Sequence, residues 1–173
     1  MVEEENKKQP SNGEVFDHYD KPKECLFCKI AKKEIDSAII WENDDFMAFL
    51  DINPNTIGQT LVIPKEHYES NFLNVDNEPF AKLMLISKYV SSLLKKALGI
   101  ERVALAVEGL GVNHIHVKLY PMIGIGKDFP PPMNVTRVMF ERNPGFVSTQ
   151  LGPMRGVEEL KKLAEEIQKN LNK

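Results

Sequence analysis

Apolar and polar positions alternate in short bursts along the first half of the chain. Residues 37–41 and 46–50 are apolar-rich runs, and Glu42-Asn43-Asp44-Asp45 between them suits the turn of a β-hairpin. Asp51-Ile52-Asn53-Pro54-Asn55 is loop chemistry, because Asn-Pro favours turn initiation. Thr60-Leu61-Val62-Ile63 reads as a third strand, ended by Pro64. The period then changes. Phe80, Leu83, Met84, Val90, Leu94 and Ala97 keep near-helical spacing, Asn77 can cap this helix, and Gly99 stands just past its end. Such a stripe predicts core or a subunit interface rather than a ligand site. Residues 102–107 and 114–122 read as two more strands, and 135–140 as a further one. Val157, Leu160, Leu163, Ile167 and Leu171 mark a final amphipathic helix, supported by the pairs Glu158–Lys162 and Glu165–Lys169. Strands, helix, strands, helix is the order of an α+β fold with a mainly antiparallel sheet.

Charge narrows the function classes. With 22 basic and 25 acidic residues the net charge is -3, so no basic excess points to sequence-specific nucleic-acid binding. The longest apolar runs fall far short of a membrane span. The first eight residues, Met1-Val2-Glu3-Glu4-Glu5-Asn6-Lys7-Lys8, hold no apolar stretch for a signal peptide, so a soluble cytoplasmic protein is expected. Positions 3, 4, 5, 7, 8, 14, 17, 20, 21, 23 and 24 are charged, which leaves too little apolar area to offset chain entropy. Residues 1–24 are therefore expected to be a disordered tail, and the folded domain to span 25–124. Pro130-Pro131-Pro132 forces an extended loop. A Pro-rich loop and helical extension over 125–173 follow.

The chemistry-bearing residues are few. There are two cysteines, Cys25 and Cys28, whose spacing in a reducing compartment suggests metal or redox chemistry over a disulfide. Of the four histidines, His18 falls in the tail, whereas His114 and His116 alternate with Ile115 and Val117 ahead of Lys118. On a strand, His114, His116 and Lys118 share one face, and Ile115, Val117 and Leu119 point to the core. A solvated strand face with incidental histidines is the alternative. Gly109-Leu110-Gly111 just upstream lets a ligand approach the backbone closely. Imidazole, amine and exposed amides together are the parts of phosphate chemistry. A neutral imidazole attacks phosphorus, while cation and amides stabilise the developing charge.

Three blocks, in this order, resemble the histidine triad (HIT) proteins: Cys25-Leu26-Phe27-Cys28-Lys29-Ile30; Phe49 to Pro54 through Gly58 to His67; and His114-Ile115-His116-Val117-Lys118. The resemblance covers roughly 25–121. It implies a nucleotide-binding fold with a five-stranded, mainly antiparallel sheet and a long helix, usually a homodimer. It also implies a hydrolase or transferase of nucleotide phosphoramidates, dinucleoside polyphosphates or related esters. By the same matching His116 is the nucleophile that forms a nucleotidyl-histidine intermediate, flanked by His114 and Lys118. Asp51 would bind the ribose hydroxyls, and Phe27, Ile30, Phe49 and Ile52 would line a purine pocket. Lys118 stands at the third triad position in place of histidine, and Gln59 stands where many members carry histidine. Val107, Leu110 and Gly111 occupy the places expected of phosphate-contacting polar residues, so Gly111 offers its backbone.

The resemblance further implies a structural zinc held by Cys25, Cys28, His67 and His114, a donor set that suits tetrahedral coordination. A surface redox pair is the competing reading of the cysteines, and no catalytic metal is expected. Two further functions stay open beside the enzyme: a non-catalytic nucleotide-binding module, and a zinc-stabilised interaction domain.

Overall fold

Consecutive apolar side chains in a strand point to opposite faces, so a strand without polar alternation must be covered on both. The two central strands obey this. In the computed structural model, which describes residues 25–127 together with Met139, Met154, Gly156 and Lys161, helix α1 (Leu26–Ala31) precedes strands β1 (Ile39–Glu42), β2 (Phe46–Leu50) and β3 (Thr60–Pro64). A 3₁₀ turn at Phe72–Asn74 leads into helix α2 (Asn77–Leu98), followed by β4 (Val103–Ala106) and β5 (Val117–Pro121). The five strands form one sheet in the order β1-β2-β3-β5-β4. Every neighbouring pair is antiparallel. The protein thus has the α+β fold with a five-stranded antiparallel sheet and a long helix.

Phe46, Ala48, Val62, Ile115, Val117 and Leu119 pack with Leu83, Val90 and Leu94 of α2 on one face. Met47, Phe49, Leu61 and Ile63, the residues between, pack with Cys25, Phe27, Cys28 and Ile30 of the α1 segment on the other. Leu83, Val90 and Leu94 of the helical stripe are therefore core, while Phe80 and Met84 are half-buried and Ala97 is exposed. Helix α2 begins at Asn77, with Asp76 as its N-cap residue, one position before the expected cap. Gly99 closes it in the left-handed region at φ 63, donating its N–H to the Lys95 carbonyl, a conformation that favours glycine.

Two differences from the sequence pattern bear on the site. Strand β5 starts at Val117, not His114, because the backbone before it bonds elsewhere: Ile115 N–H donates to the Tyr68 carbonyl at 2.9 Å and His114 N–H to Val112 at 2.8 Å. The α1 helix is also absent from the pattern reading. It has six residues and no side-chain cap, too short for helical periodicity to register.

The chain divides into two compact units, 1–129 and 130–173. Met139 and Lys161 apart, the expected tail at 1–24, the proline run, the strand at 135–140 and the helix at 157–171 lie outside the described residues.

Candidate functional site

Helix α1 presents its chemistry on one side. Cys25 is its N-cap residue and Cys28 lies three positions on, and residues three apart share a helix face. Both thiols are buried and turned toward two imidazoles. Cys28 Sγ lies 3.3 Å from His67 Nδ1 and 3.5 Å from His114 Nδ1, and Cys25 Sγ lies 3.5 Å from the same His114 nitrogen. All four donor atoms fall within 4.8 Å of one another.

Cross-ties in the chain bring the histidines together. The Asn113 side-chain carbonyl accepts from Ser70 N–H at 2.9 Å, and the Ile115–Tyr68 bond lies beside it. Gly109 fits the same seam. Its φ is 67, and a Cβ there would stand 2.7 Å from the Ser70 carbonyl oxygen. Gly111, at φ 87, faces open space instead. The two glycines of the loop therefore differ: one allows backbone to meet backbone, and the other has open space around it.

The donor set fits a metal. A tetrahedral zinc with Zn–S of about 2.3 Å and Zn–N of about 2.0 Å has S···N edges of about 3.5 Å, the separations seen here. Carbonyl groups settle the tautomer. His114 Nε2 lies 2.9 Å from the Pro64 carbonyl oxygen, which can only accept, so Nε2 carries the proton and Nδ1 keeps its lone pair toward the sulfurs. Burial pushes the Cys28 thiol up to about 12, with the neighbouring Cys25 adding to the rise. Burial also lowers His114 to about 4, and it lowers His67. Burial thus disfavours the charged forms of Cys28, His114 and His67. The Cys25, Cys28, His67 and His114 cluster can hold a metal such as zinc.

His116 sits beside this cluster, 2% exposed. Its Nδ1 lies 2.7 Å from the His114 carbonyl oxygen. By the same logic Nδ1 carries the proton and Nε2 holds the free lone pair. Burial lowers its pKa, with Lys118 pushing the same way, so the imidazole stays neutral. Phe27 stands edge-on to both rings, at 5.3 Å from His116 and 5.9 Å from His114.

Phe27, Ile30 and Phe49 lie together in one buried cluster, while Ile52, on the loop after β2, is 88% exposed. Asp51 follows β2. Its carboxylate accepts from Gln59 Nε2 at 2.7 Å and from Asn53 N–H at 2.8 Å, and the buried Gln59 in turn accepts from Asn55 N–H at 2.8 Å. Lys118 is ion-paired with Glu108. Glu108 is absent from the sequence reading, although it is the one charged residue between Arg102 and His114, a signal that a pattern search for buried charge would catch.

Residues 32–122 match the HIT domain. The chain belongs to the HIT family. An uncharacterized HIT-like protein of Borreliella burgdorferi is 36% identical over 154 residues, covering 86% of this chain and 99% of the relative. The adenosine 5'-monophosphoramidase hnt1 of Schizosaccharomyces pombe is 32% identical, covering 61% of this chain and 83% of its own length. Among solved structures, SMU.412c of Streptococcus mutans superposes with a TM-score of 0.60 at 31% identity, covering 95% of this chain and 91% of that one. Among the described residues no helix is long and apolar enough to cross a membrane.

Proposed function

We propose that this HIT protein is a nucleotide hydrolase or nucleotidyltransferase acting at the α-phosphorus of a nucleotide phosphoramidate or dinucleoside polyphosphate. The observation that carries this reading is the protonation pattern of His116, whose Nδ1 is tied to the His114 carbonyl so that a neutral Nε2 lone pair is free. Similarity to the Schizosaccharomyces pombe phosphoramidase supports it.

In the proposed reaction His116 Nε2 attacks the α-phosphorus. The bond to the leaving nitrogen or oxygen breaks with its electron pair, and the leaving group takes a proton from solvent. Water, or an acceptor hydroxyl, then displaces the nucleotidyl group and releases a proton, restoring the imidazole. His114 contributes through its carbonyl, which orients the nucleophile. Lys118, in the third triad position, and the Gly111 N–H stabilise charge on the phosphoryl oxygens. Asp51 binds the ribose hydroxyls, and Phe27, Ile30, Phe49 and Ile52 receive a purine base. Cys25, Cys28, His67 and His114 hold a structural zinc, which supplies cross-linking and no step of the transfer.

The proposed molecule is a cytoplasmic homodimer. Strand β4 is a sheet edge with Leu105 exposed, and α2 exposes Leu85 and Tyr89. Light scattering giving a monomer mass at micromolar concentration would refute the dimer.

Mass spectrometry after brief incubation with adenosine 5′-phosphoramidate tests the chemistry. A nucleotidyl adduct on the parent and none on His116→Ala is the expected result. Removal of a covalent nucleophile should also cost several orders of magnitude in turnover. Binding without adduct would assign the chain to the non-catalytic modules. An adduct that persists in His116→Ala would move the nucleophile elsewhere.

A further inference from the structure

Lys118 is the cation closest in sequence to His116, yet its charge is already engaged. Its Nζ pairs with Glu108 Oε1, and the Glu108 side chain is only 10% exposed, against 24% for Lys118. The placement follows from sheet register. Lys118 on β5 stands opposite Ala106 on β4, and Glu108 follows Ala106 by two residues, within reach of the Lys118 ammonium. Lys118 and Tyr120 share one face of β5, and His116 lies two residues before Lys118 in the segment that leads into the strand.

The carboxylate therefore cancels the Lys118 charge beside His116, and the site offers a phosphoryl group no net positive charge. Such a site tolerates the single negative charge of an α-phosphoryl group beside Lys118. It opposes a leaving group that brings further phosphates, because each added anion meets Glu108 in a poorly hydrated setting where like charges repel more strongly than in water. An amine leaving group carries no such charge, and gains attraction to the carboxylate as it takes up a proton.

We infer that Glu108 is a specificity-determining residue that selects nucleoside 5′-phosphoramidates with an amine leaving group over polyphosphate substrates. The inference rests on the proposed reading of the His116 site. Glu108 acts through Lys118 and through its own charge, without joining the bond-breaking step.

The test compares parent, Glu108→Gln and Glu108→Asp. Turnover of adenosine 5′-phosphoramidate is measured against diadenosine tetraphosphate, and affinity for adenosine monophosphate against the triphosphate by calorimetry. Glu108→Gln keeps the shape and removes the charge. It should shift both preference ratios toward the more anionic ligand, by about tenfold or more, as expected for deleting one nearby like charge. Glu108→Asp keeps the charge and should keep the ratios, even where packing loss lowers the absolute values. A ratio that stays constant in Glu108→Gln, with both ligands changing by one factor, overturns the inference and leaves a merely structural carboxylate. Should the parent turn over neither substrate and form no adduct, the enzymatic reading fails, and the affinity ratio alone decides the role of Glu108.

Discussion

The two faces of one sheet are built from alternate residues of the same strands, yet they solve different problems. On the α2 face, Phe46, Ala48 and Val62 meet Leu83, Val90 and Leu94. The apolar side chains there gain by leaving water, and the buried Ser87 hydroxyl of α2 is satisfied within its own helix, donating to the Leu83 carbonyl at 2.8 Å. On the α1 face, Met47, Phe49, Leu61 and Ile63 pack around two thiols, beside two imidazoles that are almost wholly buried. Buried polar groups cost free energy unless they are bonded or bind something. The contrast locates function. Where the sheet buries only hydrocarbon it supplies stability, and where it buries polar groups it holds a geometry ready for a ligand.

Removing the metal should break the contrast most severely. Loss of a structural metal belongs with the largest single-site effects, above about 4 kcal/mol. Protein purified without added zinc should carry about one zinc per chain. Cys25→Ser should lose it together with thermal stability. Zinc content unchanged in that variant would contradict the ligand set.

Next in size is the opposite face. Leu83→Ala opens a cavity in the α2 packing and should cost about 2–5 kcal/mol in denaturant unfolding. Metal content and turnover per folded molecule should stay at the parent level. A parallel loss of zinc would show that the faces are coupled rather than separate.

The smallest effect sharpens the α1 side. Asp51→Ala should weaken nucleotide binding by about 1.5–3 kcal/mol, the range for hydrogen bonds to a charged group. The penalty should vanish when the ligand is the 2′,3′-dideoxy analogue, as calorimetry would record. Equal weakening for both ligands would mean that Asp51 serves the Gln59 and Asn53 bonds alone.

Much of this contrast was legible in the sequence because periodicity reports burial. Residues 46–50 and 60–63 showed runs without polar alternation, and 80–97 showed a helical stripe, each a direct record of what the residues touch. Helix α1 left no such record. An isolated helix that short does not persist; tertiary burial of Phe27, Cys28 and Ile30 holds it. The histidines at 114 and 116 were read as strand because alternation is also what an extended loop produces. Their neighbours Ile115 and Asn113 bond instead to Tyr68 and Ser70 of the segment after His67, a long-range choice that local pattern does not encode. Glu108 escaped for a related reason, since its partner is fixed by the β4–β5 register. His67 could be linked to the cysteines only through the family resemblance.

The metal cluster has one more property, which concerns topology and time rather than chemistry. Its sulfur and imidazole ligands Cys25 and His114 are separated by 89 positions, so a cation seated there ties the chain into a ring that encloses β1 to β4 and both helices. The entropy of closing a loop grows only slowly with its length, but a domain dominated by distant pairings folds slowly because closure comes before reward. A clasp across nearly the whole domain shifts that order, since the first chain segment and the last strand are held together before the sheet between them is complete. Refolding speed, like the final stability, should then depend on free zinc concentration, and fraying of the α1 end should be the first opening seen by hydrogen exchange when the clasp is removed.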